Sequence, residues 1–144
     1  MSADTARGLI FAALMIHGFG HGGALGALAW IALRPGDPTG GWQAARSWLM
    51  PALPMATATS VASGFWLISM VGFVAAALSF WGIVLPGEAW RPLAIGSAIV
   101  SLVGITLFFG TWPPFNTLAA LAVNVAVLVS LLWLRWPAEA ALGS

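Results

Sequence analysis

The stretch GLIFAALMIHGFGHGGALGALAWIAL, Gly8 to Leu33, runs without a charged side chain, and only His17 and His21 interrupt its apolar and small residues. A bilayer hydrocarbon core about 30 Å thick takes roughly 20 apolar residues wound as a helix. Only a helix or a closed barrel satisfies every backbone group in lipid. The stretch therefore reads as a membrane span. Arg7 in front of it gives it the look of a secretion signal, but the apolar run is too long for the core of one. It is expected to be a retained first helix.

Three further stretches meet the same requirement: Ala62 to Leu85, Trp90 to Gly110 and Pro114 to Leu134. The turn-forming strings Pro86-Gly87-Glu88 and Gly110-Thr111-Trp112-Pro113-Pro114 separate them. Connections this short make consecutive helices antiparallel neighbours. Composition agrees, because 60% of the 144 residues are hydrophobic and 6% are charged, against roughly a quarter charged in soluble domains. The arginines (Arg7, Arg34, Arg46, Arg91, Arg135) and the acids (Asp4, Asp37, Glu88, Glu139) fall outside the apolar runs or at their ends. A net charge of +1, scattered in this way, excludes a nucleic-acid surface. Without cysteine there is no disulfide or thiol chemistry. Trp30, Trp66, Trp81, Trp90, Trp112, Trp133 and Trp136 stand near the expected helix ends, where indole rings meet headgroups.

Residues 34–60 break the pattern. A polar loop, Arg34 to Gly41, leads through Trp42 to Arg46 into a short apolar stretch, Ser47 to Ser60, that contains Pro51 and Pro54. Two prolines so close disfavour a regular helix. Residues 42–60 are therefore expected to form an interfacial or re-entrant segment against the bundle. The alternative is a fifth span, since Ser47 to Leu85 is uncharged and long enough for two crossings. With four spans, Arg7, Arg91 and Arg135 share one side against Arg34 and Arg46, a weak bias toward cytoplasmic termini. With five, four arginines oppose Arg7. The expected fold is one all-α domain, a polytopic bundle of four transmembrane helices, with five as the alternative.

His17 and His21, one turn apart, leave the same face of the first helix near mid-membrane. Ionisable groups at that depth are costly and turn toward the bundle interior, which makes both histidines candidate cofactor ligands. The structural alternative is a neutral imidazole bonded to a neighbouring helix. Gly18, Gly22 and Gly26 form a small-xxx-small ladder for close helix packing. A bare stripe beside a histidine also suits a flat macrocycle. Asn124 on the last span, Ser97 and Ser101 on the third and Ser69 on the second are the other mid-depth polar groups, candidates for a polar cavity with the histidines. Asn124 matches the histidines in depth by residue count, and an amide in hydrocarbon seeks an interhelical partner. Asn116 reads as a cap of the last helix.

Two histidines, with no cysteine and no carboxylate inside a span, fall short of the ligands zinc needs, so no metal site is expected. Copper(I) would recruit methionines, but nothing in the sequence brings Met15, Met50, Met55 or Met70 to the histidines. One histidine suffices for a haem or a chlorophyll-type pigment, whereas two on one helix face cannot reach both sides of one ring. No Ser-His-Asp set, phosphate loop or carboxylate pair is present, and no catalytic residue is assigned.

The elements His17-Gly18-x-x-His21, Arg46-Ser47-Trp48-Leu49 and Trp90-Arg91-Pro92-Leu93 together resemble small bacterial four-helix membrane proteins that open with such a motif and carry no assigned activity. The resemblance implies the topology and a multi-pass place in a bacterial inner membrane, and no residue role. Three functional classes follow, in descending order of weight. The first is an accessory subunit, packed through Gly18, Gly22 and Gly26 against other membrane subunits or a second copy. The second is a tetrapyrrole-binding protein using His17 or His21. The third is a small transporter or membrane enzyme with a His17, His21 and Asn124 cavity. The lipid bilayer is the partner common to all three.

Overall fold

A computed structural model of the chain describes residues 2–34 and 41–138. Asp37, Glu139 and most of the expected polar loop lie outside the described residues. Four helices are long and apolar enough to cross a membrane. They are α1 (Ala3–Leu33), α2 (Met55–Phe80), α3 (Trp90–Leu107, entered through a 3-10 turn at Gly87–Ala89) and α4 (Pro114–Leu128). One π-helical turn, Val129–Trp133, continues α4. The protein is an all-α four-helix membrane bundle, and the fifth span does not form among the described residues.

Ser2 starts α1 by accepting the Thr5 N–H at 3.2 Å, a side-chain N-cap. At 1.5 Å per residue its 31 residues reach ~46 Å, longer than the hydrocarbon core, so the helix tilts or extends into the headgroups. The second helix begins at Met55 rather than Ala62. Pro54 takes the N-cap position, where a fixed φ and a missing N–H do no harm. The non-helical segment expected over 42–60 therefore shrinks to 41–54. The other end of α2 also differs from expectation, at Phe80 rather than Leu85, because Gly82 (φ 67°) and Val84 (φ 72°) turn the chain. Likewise α3 stops at Leu107, short of Gly110, whose φ of 90° makes the next turn. Asn116 makes no capping bond; Pro113 is the N-cap of α4 and Asn116 is exposed in its first turn.

Segment 41–54 lies against the bundle end. The Gln43 N–H donates to the Thr111 carbonyl at 3.1 Å, the Trp48 indole donates to the Thr106 carbonyl, and Ala45 and Ser47 are buried. Protein contact thus shields its irregular backbone. At the opposite end Arg7 stacks 4.5 Å from the Trp81 ring, and Arg91 donates to the Pro137 carbonyl. The starts of α1 and α3 therefore share an end with the chain that follows α4.

Packing runs in sequence order, α1 on α2, α2 on α3 and α3 on α4, whereas the α1 and α4 backbones hardly approach each other among the described residues. The glycine ladder works inside the chain. A Cβ on Gly18 would meet Val74 at 3.1 Å and the Met70 carbonyl at 3.3 Å, and one on Gly22 would meet the Met70 sulfur at 3.0 Å. Gly26 meets nothing within 4 Å. Two unforeseen glycines bring α3 against α2: Gly104, where a Cβ would lie 2.8 Å from Phe65 Cβ, and Gly72, set against Ser97. Trp66 and Trp112 are core residues, 1% and 7% exposed, rather than headgroup anchors, and Trp90 is buried too. Trp30, Trp81, Trp133 and Trp136 are exposed.

Candidate functional site

Three helices bring four polar side chains into one chain of hydrogen bonds. His17 Nε2 lies 3.0 Å from Asn124 Oδ1, Asn124 Nδ2 donates to Ser101 Oγ at 2.7 Å, and Ser101 Oγ lies 3.1 Å from His21 Nε2. The circuit begins and ends on α1, crossing α4 and α3 between. His21, Ser101 and Asn124 are essentially sealed from outside, while His17 is half-buried. Buried polar groups need partners, and these four find one another.

The orientation of the Asn124 amide fixes the proton of His17. Its carbonyl oxygen accepts, so His17 Nε2 carries the hydrogen; its amide nitrogen donates to Ser101, whose oxygen lies within hydrogen-bond distance of His21 Nε2 and pairs with either tautomer of that ring. His21 Nδ1 has no partner within the protein, and it carries the hydrogen in the tautomer whose Nε2 accepts from Ser101. Trp66 Nε1, Trp112 Nε1 and Thr111 Oγ1 are buried without partners as well. These groups are neighbours, since the Trp112 ring lies 5.4 Å from that of His21 and 5.3 Å from that of Trp66. Phe73 closes the other flank, edge-on to His17 at 4.6 Å and parallel to His21 at 6.2 Å. The result is a set of buried donors in an apolar, aromatic box.

Ser97 and Ser69 stay out of the network. Each donates to a carbonyl one turn back on its own helix, Leu93 at 2.7 Å and Phe65 at 2.8 Å, the usual outlet for a hydroxyl inside a helix. Gly18 and Gly22 flank the histidines, but Met70, Phe73 and Val74 cover them, which leaves no bare stripe there for a macrocycle. Each imidazole commits Nε2 to a neighbour. Among the described residues no third histidine or carboxylate joins the pair to make a metal-binding group.

A cleft of about 350 Å³ opens along the α1–α4 seam, lined by His17, His21, Trp42, Trp112, Phe115 and Val123 among others. A second cavity of about 300 Å³ continues along the same seam toward Trp90 and Trp136, bounded by Ile10, Leu14 and Val127. Ala13 and Val123 line both, so the two adjoin along the seam. Depth counting could find Asn124. It could not find Trp42, Trp66 and Trp112, because tryptophan near a helix end has the signature of an interface anchor. Comparisons with protein-family models, curated proteins and solved structures found no match.

Proposed function

We propose that this protein binds a small, largely apolar molecule in the α1–α4 cleft, taken up laterally from the bilayer. One observation carries this reading: a cleft of about 350 Å³ beside a polar cluster at mid-membrane, on the α1–α4 seam, where the two backbones hardly approach each other among the described residues. Its volume lies within the range of small-molecule sites, and its lining, apolar with a few fixed polar groups, has the usual character of one. An interaction subunit held through the glycine ladder has less support, because Gly18 and Gly22 already pack on α2. The motif resemblance supports a bacterial inner membrane as the location.

The test is mass spectrometry of solvent extracts from protein purified in mild detergent, with an Ala119→Trp variant alongside. Ala119 is an exposed cleft residue on α4, so an indole there fills the mouth without entering the core. Wild type should retain a molecule near one per chain, and the variant should lose most of it at unchanged helix content. Equal recovery from both, or none from either, would refute the proposal.

A further inference from the structure

We infer that the molecule is a ring ketone of the quinone type bearing a hydrocarbon chain. Its carbonyl oxygen is received by His21 Nδ1–H and Trp112 Nε1–H, and its chain lies along the α1–α4 groove. The inference rests on the small-molecule reading above and specifies the ligand.

The two nitrogens set the chemistry. Both residues line the cleft, both are more than nine-tenths buried, and neither nitrogen has a partner in the protein. The indole can only donate, and His21 Nδ1 is a second donor in the tautomer whose Nε2 accepts from Ser101. Buried donors left unmet are costly, so the complementary ligand presents an acceptor. That acceptor is uncharged. Arg7, Arg34 and Arg91 sit at the membrane ends over Trp81, Trp30 and Trp90, and a carboxylate at mid-depth would be buried without a cation.

Depth then selects among neutral acceptors. His17 and Asn124 fall near the middle of their spans, and His21 stands one turn on, inside its span and beside Trp112 of the α3–α4 turn, whereas the ester carbonyls of bilayer phospholipids stay at the interface. A carbonyl below that interface, between His21 and Trp112, suits a molecule that dissolves wholly in the hydrocarbon. Trp42, Trp112 and Phe115 offer flat faces to a ring. The adjoining apolar cavity, joined through Ala13 and Val123, runs on toward the far membrane face and accommodates a chain. A flat ring with carbonyl oxygens and an alkyl or prenyl tail meets all of these conditions.

The experiment uses the full chain in phosphatidylcholine nanodiscs and two tritiated probes: a decyl-substituted 1,4-benzoquinone and dodecylbenzene, which has a ring and a tail but no acceptor. The quinone should bind saturably and about a hundredfold more tightly than dodecylbenzene, about tenfold for each of two hydrogen bonds. Trp112→Phe, which keeps a ring and removes the N–H, should reduce quinone affinity about tenfold and leave dodecylbenzene unchanged. Infrared spectra of the wild type should show the bound quinone carbonyl band below its frequency in empty nanodiscs. Equal affinity for the two probes with an unshifted carbonyl band overturns the quinone inference and leaves the cleft reading standing. If neither probe binds saturably, or Ala119→Trp affects neither, phospholipid or nothing occupies the cleft and both proposals fall.

Discussion

Asn124 bonds to two other helices at once, to His17 on α1 and Ser101 on α3. Interhelical hydrogen bonds in membranes average about 0.6 kcal/mol and reach about 1.7. Asn124→Leu should therefore lower stability by about 1–3 kcal/mol, read from unfolding in mixed SDS and mild detergent. Adding His17→Phe to that variant should cost clearly less than it does in the wild type, because the two residues share one interaction. A second prediction concerns Val84, at the centre of a γ-turn closed by the Leu85 N–H on the Ile83 carbonyl, with φ 72°. A β-branched residue is strained there. Val84→Gly should raise stability by about 1 kcal/mol in the same assay. At this scale the sequence shows which residues are unusual but not which ones meet. His17, His21 and Asn124 stand out because polar atoms are rare in hydrocarbon. Ser97 and Ser101 look alike on paper, and only the rotation of α3 sends one to Asn124 and the other back to its own helix.

Between elements, the contact of α1 with α2 depends on Gly18 more than on the rest of its ladder. A Cβ there meets the Met70 backbone carbonyl, which cannot step aside as a side chain can. Gly18→Val should cost about 1–3 kcal/mol by forcing α1 and α2 apart, whereas Gly26→Val should stay within about 0.5 kcal/mol. Unfolding of the two variants side by side checks the contrast. Four-residue spacing suggested three equivalent positions. At 3.6 residues per turn, each step of four rotates by about 40°, so by Gly26 the stripe has turned away from the partner. The four apolar runs were legible because each is long enough to cross a bilayer and ends at turn formers. The start of α2 was misread because Pro51 and Pro54 look like interruptions of a helix, and a proline at an N-cap announces one. Gly72 and Gly104 carried no periodic signal, since what demands them is the approach of α3 and Phe65 on α2.

For the whole molecule, the bundle is an open series, each helix packed on the next, with a groove where the first and last would meet. Arginine counting alone left four and five spans in competition. What decides is the fit of segment 41–54 against the Thr106 and Thr111 carbonyls, a contact between residues far apart in sequence. Four spans place Ser2 and Ala138 on one side of the membrane and Gln43 on the other. The chain has no native cysteine, so single replacements Ser2→Cys, Ala138→Cys and Gln43→Cys report cleanly. An impermeant maleimide added to right-side-out vesicles should label either Gln43→Cys alone or the other two together.

The circuit that starts and finishes on α1 also imposes a timetable. Synthesis delivers helices from the N-terminus onward, so His17 enters the bilayer with the first of them while Asn124 comes with the fourth. Until α4 leaves the ribosome, an imidazole waits in the lipid without its acceptor and Ser101 without its donor. Closure of the His17–Asn124 bond therefore waits for α4, whereas the contact of Gly18 with Met70 needs only the first two helices.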